Sequence, residues 1–287
     1  MSSPSTLPAL IVGCGYLGRR VAARWVAAGR RVAALTRRNA DALAALGLEP
    51  VVGDVSDSAS LRTLPAASTV LYAVGMDRTQ GKTMRDVYVN GLGHVLDTLP
   101  SAARFVYVSS TGVYGHTDGG WVDETSDTLP REESGKVVLE AERLLREKRP
   151  DAIILRFAGI YGPDRLLRKQ PLLKGEPLVG DAGKWLNLIH VADGTDAVLA
   201  AEQHAAPGET YLVCDDEPVT RRDFYTHLAE LLGAPPARFE PAAVPAVEPN
   251  RRVSNRKARA ALGWVPRFPN YRVGLAASVA PSESSPS

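Results

Sequence analysis

Residues 13–18 read Gly13-Cys14-Gly15-Tyr16-Leu17-Gly18 and stand between a short apolar run, Ala9-Leu10-Ile11-Val12, and an amphipathic segment. The apolar run predicts a buried strand. After the glycines, apolar side chains recur at helical spacing at Leu17, Val21, Trp25 and Ala28. A strand, a G-x-G-x-x-G turn and a helix in this order predict a dinucleotide-binding site, which the glycine pattern alone would not.

Each glycine has its own physical task in such a turn. Gly13 can adopt the tight turn, Gly15 lets backbone N–H groups approach a pyrophosphate, and Gly18 lets the helix pack closely on the strand. The helix N-terminus, at Tyr16 and Leu17, then offers free N–H groups and a partial positive charge to the phosphates. The alternative is a glycine-rich turn that binds no ligand.

The composition favours a globular protein without a polyanionic partner. The chain has 287 residues, 45% of them hydrophobic, and a formal net charge of only +2, so neither nucleic-acid nor membrane binding is predicted. Cys14 and Cys214 are far apart, which argues against a zinc site or a disulfide framework, and no metal is predicted. The start lacks the apolar core of a signal peptide, so we expect a cytoplasmic protein, with disordered tails at 1–8 and 280–287.

Further along the chain, strand-like apolar runs alternate with amphipathic helical segments. Predicted strands cover 31–36, 50–53, 69–74, 104–109 and 152–157, and predicted helices cover 41–46, 84–99 and 134–148. Such alternation implies an α/β fold of the Rossmann type, a doubly wound parallel sheet covered on both faces. We assign 9–163 to the NAD(P)-binding domain and 164–279 to a smaller C-terminal substrate lobe, whose segments near 185–190 and 210–213 are predicted to return to the main sheet as strands.

The end of the second predicted strand indicates which nucleotide binds. NAD-binding folds of this type place an acidic residue there for the ribose 2′-hydroxyl, whereas this chain has Arg37 and Arg38. Arginine can pair with a 2′-phosphate, so NADP is the preferred cofactor and NAD the alternative; two solvated arginines remain the other interpretation. Asp54, placed to meet the adenine or to cap a helix, and Val74, at the end of the fourth predicted strand, complete the predicted cofactor site.

Several motifs in order resemble the short-chain dehydrogenase/reductase superfamily, in its extended NAD-dependent epimerase/dehydratase branch. After the glycine turn come Val89-Asn90-Gly91-Leu92-Gly93, the run from Ser109 to Gly115, Arg156 to Pro163, Leu188 to Asp193, and Lys257 to Trp264. The resemblance covers about residues 9–265. It implies a Rossmann-type sheet, a nicotinamide cofactor and a substrate lobe over the cofactor cleft. Relatives often dimerise through helices that match 84–99 and 134–148, so the sequence leaves two alternatives open for the oligomeric state, a monomer and a homodimer.

The resemblance also implies a catalytic set, which is incomplete in this chain. Members of the family use an upstream Ser or Thr and a Tyr-x-x-x-Lys pair, in which the lysine lowers the tyrosine pKa and holds the nicotinamide ribose. Ser110 matches the hydroxyl residue and Lys136 the lysine, but Glu132 stands where the tyrosine should be. Tyr114 is the first candidate to replace it, ahead of Tyr161 and a carboxylate base at Glu132 or Glu133, whose simpler interpretation is a solvated helix N-terminus.

The predicted function is therefore an NAD(P)-dependent oxidoreductase or epimerase/dehydratase acting on a small polar substrate. A nucleotide-sugar substrate is less well supported, because Gly159 stands where extended relatives often carry an asparagine. Arginines that could grip a diphosphate, or could equally be solvated, are Arg165, Arg168, Arg251 and Arg252. The alternative function is an NADP(H)-binding sensor or regulator with little turnover, which the missing tyrosine favours.

Overall fold

The computed structural model describes residues 7–77, 81–100, 103–243 and 248–280. The strands are β1 (Ala9–Val12), β2 (Val32–Thr36), β3 (Glu49–Val52), β4 (Thr69–Tyr72), β5 (Arg104–Ser110), β6 (Trp121–Val122), β7 (Ile153–Phe157), β8 (Gly159–Tyr161), β9 (Leu178–Val179), β10 (Trp185–Leu186), β11 (Leu188–His190), β12 (Thr210–Val213), β13 (Val219–Thr220), β14 (Phe239–Glu240) and β15 (Arg252–Val253). The α-helices are α1 (Tyr16–Ala27), α2 (Ala40–Ala44), α3 (Gly91–Thr98), α4 (Glu133–Lys148), α5 (Lys169–Leu173), α6 (Val191–His204), α7 (Arg221–Leu232), α8 (Arg256–Leu262) and α9 (Tyr271–Val279). Residues 1–6 and 281–287, most of the predicted tails, lie outside the described residues.

A seven-stranded parallel sheet forms the centre of the molecule, as the alternating pattern predicts. Its order is β12-β7-β5-β4-β1-β2-β3. Ile11 in β1 lies opposite Ala34 in β2 on one side and Leu71 in β4 on the other. The chain winds from β1 outward to β3 and then returns to the far side of β1, so the strand order reverses between β1 and β4. Ligands in such sheets bind at this reversal, beyond the carboxyl ends of the strands.

Apolar side chains cover both faces of the sheet, which is why its strands lack polar alternation. On one face, Ile11 and Leu155 belong to a buried cluster with residues of α1, α6 and α8. On the other face, Leu10 and Phe105 pack with residues of α3 and α4. Every residue of β1, β4 and β7 is buried, as expected for strands of a sheet that is covered on both sides.

The C-terminal part of the chain divides between the main layer and a small lobe. As predicted, β12 joins the edge of the main sheet, where Leu212 pairs with Arg156, and α6 packs on its face. The prediction that the strand near 185–190 also returns to the main sheet is wrong. The strand is interrupted at Asn187, whose side chain bonds to the backbone of Arg251 and Val253; β10 therefore pairs with β13, and β11 with β8.

The small lobe has its own apolar core, built around Phe224 and Leu228 of α7 and Leu275 of α9. Two segments that look irregular in the sequence contribute to it. Residues 164–184 contain α5 and β9, and β9 pairs with β14 from the proline-rich stretch after α7. The predicted long helix over 84–99 is present, but it begins as a π-helical turn, Asp86–Asn90, before α3.

Candidate cofactor cleft and active site

A cleft of about 710 Å³ opens at the point where the strand order reverses. Its floor is formed by the turn after β1 and by residues that follow β2, β3 and β4. Most of the predicted cofactor residues line it, namely Gly13, Gly15, Tyr16, Leu17, Arg37, Arg38, Asp54 and Val74. The carboxyl ends of adjacent parallel strands thus bring together residues that lie up to about 60 positions apart in the sequence.

The three glycines of the turn differ in the space around them. Gly13 has a φ of +100°, and a Cβ there would collide with the backbone of Ala73 and Val74. A Cβ on Gly18 would lie 2.5 Å from the carbonyl oxygen of Gly13. At Gly15 nothing lies within 4 Å of an added Cβ, so this backbone faces the open cleft. The first and third glycines close the turn, and the middle one leaves room for a phosphate.

The N-terminus of α1 faces the cleft with its backbone donors uncapped. Among the described residues, no side chain caps this end, and the first turn holds no acidic residue. Uncapped N–H groups and the positive end of the helix dipole suit an anion. The Tyr16 hydroxyl donates a 2.7 Å hydrogen bond to the carbonyl oxygen of Pro163, and Arg165 lies 5.3 Å from the centre of the Tyr16 ring. The glycine turn is thereby tied to the segment that follows β8.

Three arginines line the cleft. Arg37 and Arg38 follow β2, and Arg19 projects from the first turn of α1. Arg37 forms a 3.1 Å ion pair with Asp77 across the cleft. Neither Arg19 nor Arg38 forms an ion pair within the described part of the chain. Two exposed guanidinium groups without an acidic partner leave positive charge for phosphate groups in the cleft.

Asp57, not Asp54, caps the 3₁₀ helix over Ser58–Thr63, and Asp54 itself lines the cleft. The Asp54 side chain accepts hydrogen bonds from the backbone N–H and hydroxyl of Ser56, at 2.9 and 2.8 Å. Lys82 forms a 3.1 Å ion pair with the other carboxylate oxygen. Burial alone would raise the pKa of Asp54, but these bonds and the lysine hold it below its ordinary value. The carboxylate is therefore fixed in its charged form at the wall of the cleft.

Ser110 lies where β5 ends, at the start of a 3₁₀ turn over Thr111–Val113. Its Oγ accepts a 3.0 Å hydrogen bond from the N–H of Gly112, which leaves its own proton free to donate. The N-terminus of α4 is pressed against this turn, because a Cβ on Gly135 would collide with the carbonyl oxygen of Gly112. Lys136 follows directly. Its side chain is exposed and lies 3.5 Å from Glu133.

The predicted replacement of the missing tyrosine by Tyr114 does not agree with the structure. Tyr114 is fully buried, and its hydroxyl accepts a 2.7 Å hydrogen bond from Arg156. Arg156 in turn pairs with the carboxylate of Glu142, which also accepts a bond from the hydroxyl of Ser109. The ring is therefore a support for the Ser110 turn, and its hydroxyl faces the core instead of the cleft.

The other candidates for the missing acid–base group are Tyr161, Glu132 and Glu133. Tyr161 is fully buried among residues of the small lobe. Glu132 and Glu133 are exposed at the start of α4, as the simpler interpretation of the sequence expects. Glu132 nevertheless lies close enough to raise the pKa of Arg251, although burial has the larger and opposite effect. The carboxylate at the tyrosine position thus faces the same region as the turn after β5.

Sequence reasoning missed several residues of the cleft. Arg19 was missed because it lies within an ordinary amphipathic helical pattern. Its position four residues after Gly15 places it in the first turn of α1, beside the proposed phosphate site. Lys82, Asp77 and Ile160 also line the cleft. Lys82 and Asp77 come from loops, where no periodic pattern shows what a side chain faces, and Ile160 lies in the short strand β8.

The profile of the NAD-dependent epimerase/dehydratase family matches residues 9–214. This chain belongs to that family. A Streptomyces 3-diazoavenalumate denitrifying reductase is 33% identical over 156 residues, which are 49% of this chain and 51% of the reductase; the match thus spans about half the length of that relative. Protein YeeZ of Escherichia coli K12 is 29% identical over 80% of this chain and 85% of its own length.

A solved structure with the same fold carries a bound nicotinamide nucleotide. The double mutant of DesIV, a dTDP-glucose 4,6-dehydratase from Streptomyces venezuelae, contains NAD and superposes with a TM-score of 0.82 over 95% of this chain and 96% of its own. At 23% identity this likeness shows the fold. The glycine turn fits such a nucleotide, since Gly15 leaves open space beside the uncapped N-terminus of α1.

Within 7–77, 81–100, 103–243 and 248–280, no helix is both long and apolar enough to cross a membrane. In the same residues, no group of three or more His, Cys, Asp or Glu side chains is arranged to hold a metal ion.

Proposed function

We propose that this protein is an NADP(H)-dependent oxidoreductase that acts on a small polar carbonyl or alcohol substrate. The observation that carries the proposal is the cleft itself. A glycine turn and an uncapped helix N-terminus line one part of it, and two arginines without acidic partners among the described residues also line it, Arg19 in the first turn of α1 and Arg38 after β2. This charge favours a nucleotide with a 2′-phosphate, because a charged hydrogen bond contributes about 1.5–3 kcal/mol, or one to two decades of affinity.

The bound nicotinamide would supply or accept the hydride. The protein's own contribution at the substrate is the hydroxyl of Ser110, whose orientation is fixed by the N–H of Gly112. A hydroxyl held in this way can donate to a substrate oxygen as negative charge develops there. Removing one such donor typically lowers kcat by about 10²–10³. Lys136 is exposed beside this turn and, in the proposal, reaches the nicotinamide ribose when the cofactor is bound.

Turnover tests this proposal directly. Purified protein and NADPH are mixed with a panel of aldehydes and ketones, and the loss of nicotinamide absorbance is recorded for the wild type, Ser110→Ala and Lys136→Ala. We expect substrate-dependent oxidation that both variants slow, Ser110→Ala by about 10² or more. Oxidation that is equally fast in both variants would refute the assigned roles.

A second function, a sensor of NADP(H) with little turnover, rests on one specific observation. Glu132 replaces the family's tyrosine, and the hydroxyls of Tyr114 and Tyr161 are buried. A positioned acid or base contributes about 10²–10⁴ in rate, so the chemistry is slow unless Glu132 takes over that role. Tight NADPH binding with no turnover across the panel, together with a nucleotide-dependent change in proteolysis, would favour this function. Sustained hydride transfer would exclude it.

A further inference from the structure

Arg251 reaches from the small lobe to the turn that carries Ser110. It stands immediately before β15, and its Nη2 donates a 2.5 Å hydrogen bond to the carbonyl oxygen of Thr111, the neighbour of Ser110. The backbone of Arg251 is held as well, because its carbonyl oxygen accepts a 2.9 Å bond from the side chain of Asn187. The guanidinium group is thus fixed at one place, beside the turn that carries Ser110.

The positive charge of Arg251 is not satisfied there. Its Nε is buried and has no hydrogen-bond partner, and within the described ranges the guanidinium forms no ion pair with a carboxylate. Arg156 shows the contrast, since its buried guanidinium is paired with Glu142 at 2.7 Å. A buried donor without a partner loses its hydration and gains nothing in return. The Nη1 of Arg251, by contrast, is neither buried nor hydrogen-bonded within the described residues, so this edge of the uncompensated guanidinium is open to an anion.

The neighbouring arginine has a different environment. Arg252 points the other way along β15, and its guanidinium lies 5.1 Å from the ring centre of Trp121 and 5.2 Å from that of Trp185. Its Nε donates to the carbonyl oxygen of Gly119 at 2.9 Å. Arg252 is thus accounted for by its contacts with the protein, whereas Arg251 is not.

We propose that Arg251 anchors an anionic group of the substrate, a carboxylate or a phosphoryl group, beside Ser110. This inference rests on the proposed function, and it narrows the substrate class to small acidic carbonyl or alcohol compounds. A carboxylate or phosphate oxygen would bind at Nη1, the nitrogen that is neither buried nor hydrogen-bonded within the described residues, and its charge would balance the guanidinium. Anchored next to Ser110, such a substrate would present its oxygen to the free hydroxyl proton.

Glu132 allows the charge around Arg251 to be changed without altering Arg251 itself. Its carboxylate acts electrostatically on Arg251 from the start of α4, without being close enough for an ion pair. An incoming anion would be attracted by Arg251 and repelled by Glu132. Removing the negative charge at Glu132 should therefore tighten anion binding, while removing the positive charge at Arg251 should weaken it.

The test is a calorimetric titration of malonate and of inorganic phosphate into protein saturated with NADP⁺, which keeps phosphate out of the cofactor site. The variants are Arg251→Met, Arg251→Lys, Glu132→Gln and, as a matched control, Arg256→Met, which removes an exposed arginine of α8. Wild type and Arg256→Met should bind at least one anion saturably. Arg251→Met should lose about tenfold or more in affinity, and Arg251→Lys should retain part of it. Glu132→Gln should bind more tightly than wild type.

Each outcome decides the inference. Equal affinity in Arg251→Met and wild type, or no saturable binding of either anion, would overturn it. If Arg251→Met does not fold, weaker binding in Arg251→Lys with tighter binding in Glu132→Gln still supports it, and no change in both refutes it. A preference for malonate or for phosphate tells a carboxylate substrate from a phosphorylated one. If NADP⁺ itself does not bind, the proposed function fails, and the malonate titration on the free protein still tests Arg251.

Discussion

Removal of Glu142 should destabilise this protein more than almost any other single change of a polar residue. Its carboxylate is buried and accepts bonds from Arg156 Nε at 3.0 Å and Nη2 at 2.7 Å, as well as from Ser109. Burial would lower the pKa of Arg156, but the carboxylate of Glu142 outweighs this and raises it. Glu142→Ala leaves Arg156 charged and unpaired in the core, for which the usual loss is about 3–5 kcal/mol.

This loss converts into a shift that thermal unfolding can resolve. An unfolding entropy of about 2.1 cal/mol/K per residue gives roughly 0.6 kcal/mol/K for 287 residues, so the expected fall in Tm is about 5–8 °C. Circular dichroism measures it, with Glu49→Ala as the control, because Glu49 forms an exposed pair with Arg31 that should contribute nothing measurable. The double variant Glu142→Leu/Arg156→Met should recover part of the loss. A shift below about 2 °C for Glu142→Ala would refute the reasoning.

Two further predictions separate stability from binding. Gly13→Ala should lower the Tm, because the alanine would need a positive φ and its Cβ would collide with the backbone after β4. Gly15→Ala should keep the wild-type Tm in thermal unfolding but lose about tenfold or more of its nucleotide affinity in calorimetry. Equal losses of Tm in the two variants would contradict this. Burial lowers the pKa of His190 to about 4. Below about pH 6.5 the unfolded chain therefore binds a proton at this imidazole, while the imidazole of the folded protein stays neutral. The free energy of unfolding should fall by up to about 3 kcal/mol as the pH decreases from 6.5 to 4. His190→Asn, which can keep the cap on α6, should flatten that part of the curve of stability against pH; an unchanged slope would show that other groups cause it.

Hydrophobic periodicity was enough to predict the main sheet and the helices over its faces. Apolar runs such as 9–12 and 153–157 are buried on both sides of the sheet. Their composition therefore identifies them as strands, whichever strands they pair with. The glycine turn was equally clear, because its flanks define both its conformation and its place at the carboxyl end of β1. Arg37 and Arg38 follow from the same logic, since the end of β2 lies beside the ribose position in any sheet of this order.

The sequence failed where long-range contacts decide the structure. The strand near 185–190 looks continuous, but Asn187 interrupts it by bonding to the backbone around β15. Tyr114 carries a chemically suitable hydroxyl four residues after Ser110, and no local pattern shows that this hydroxyl faces Arg156 in the core. Arg251 is about 140 positions from Ser110, and only the folded structure shows that its guanidinium contacts the turn after β5.

The most direct test of the proposed cofactor site is a calorimetric titration of the purified protein with NADPH and with NADH, repeated on Arg37→Ala/Arg38→Ala. We predict that the wild type binds NADPH about one to two decades more tightly than NADH. The double variant should lose that preference and keep its affinity for NADH. Equal affinity of the wild type for both nucleotides would contradict the role assigned to the arginines, and no binding of either would contradict the assignment of the cleft itself.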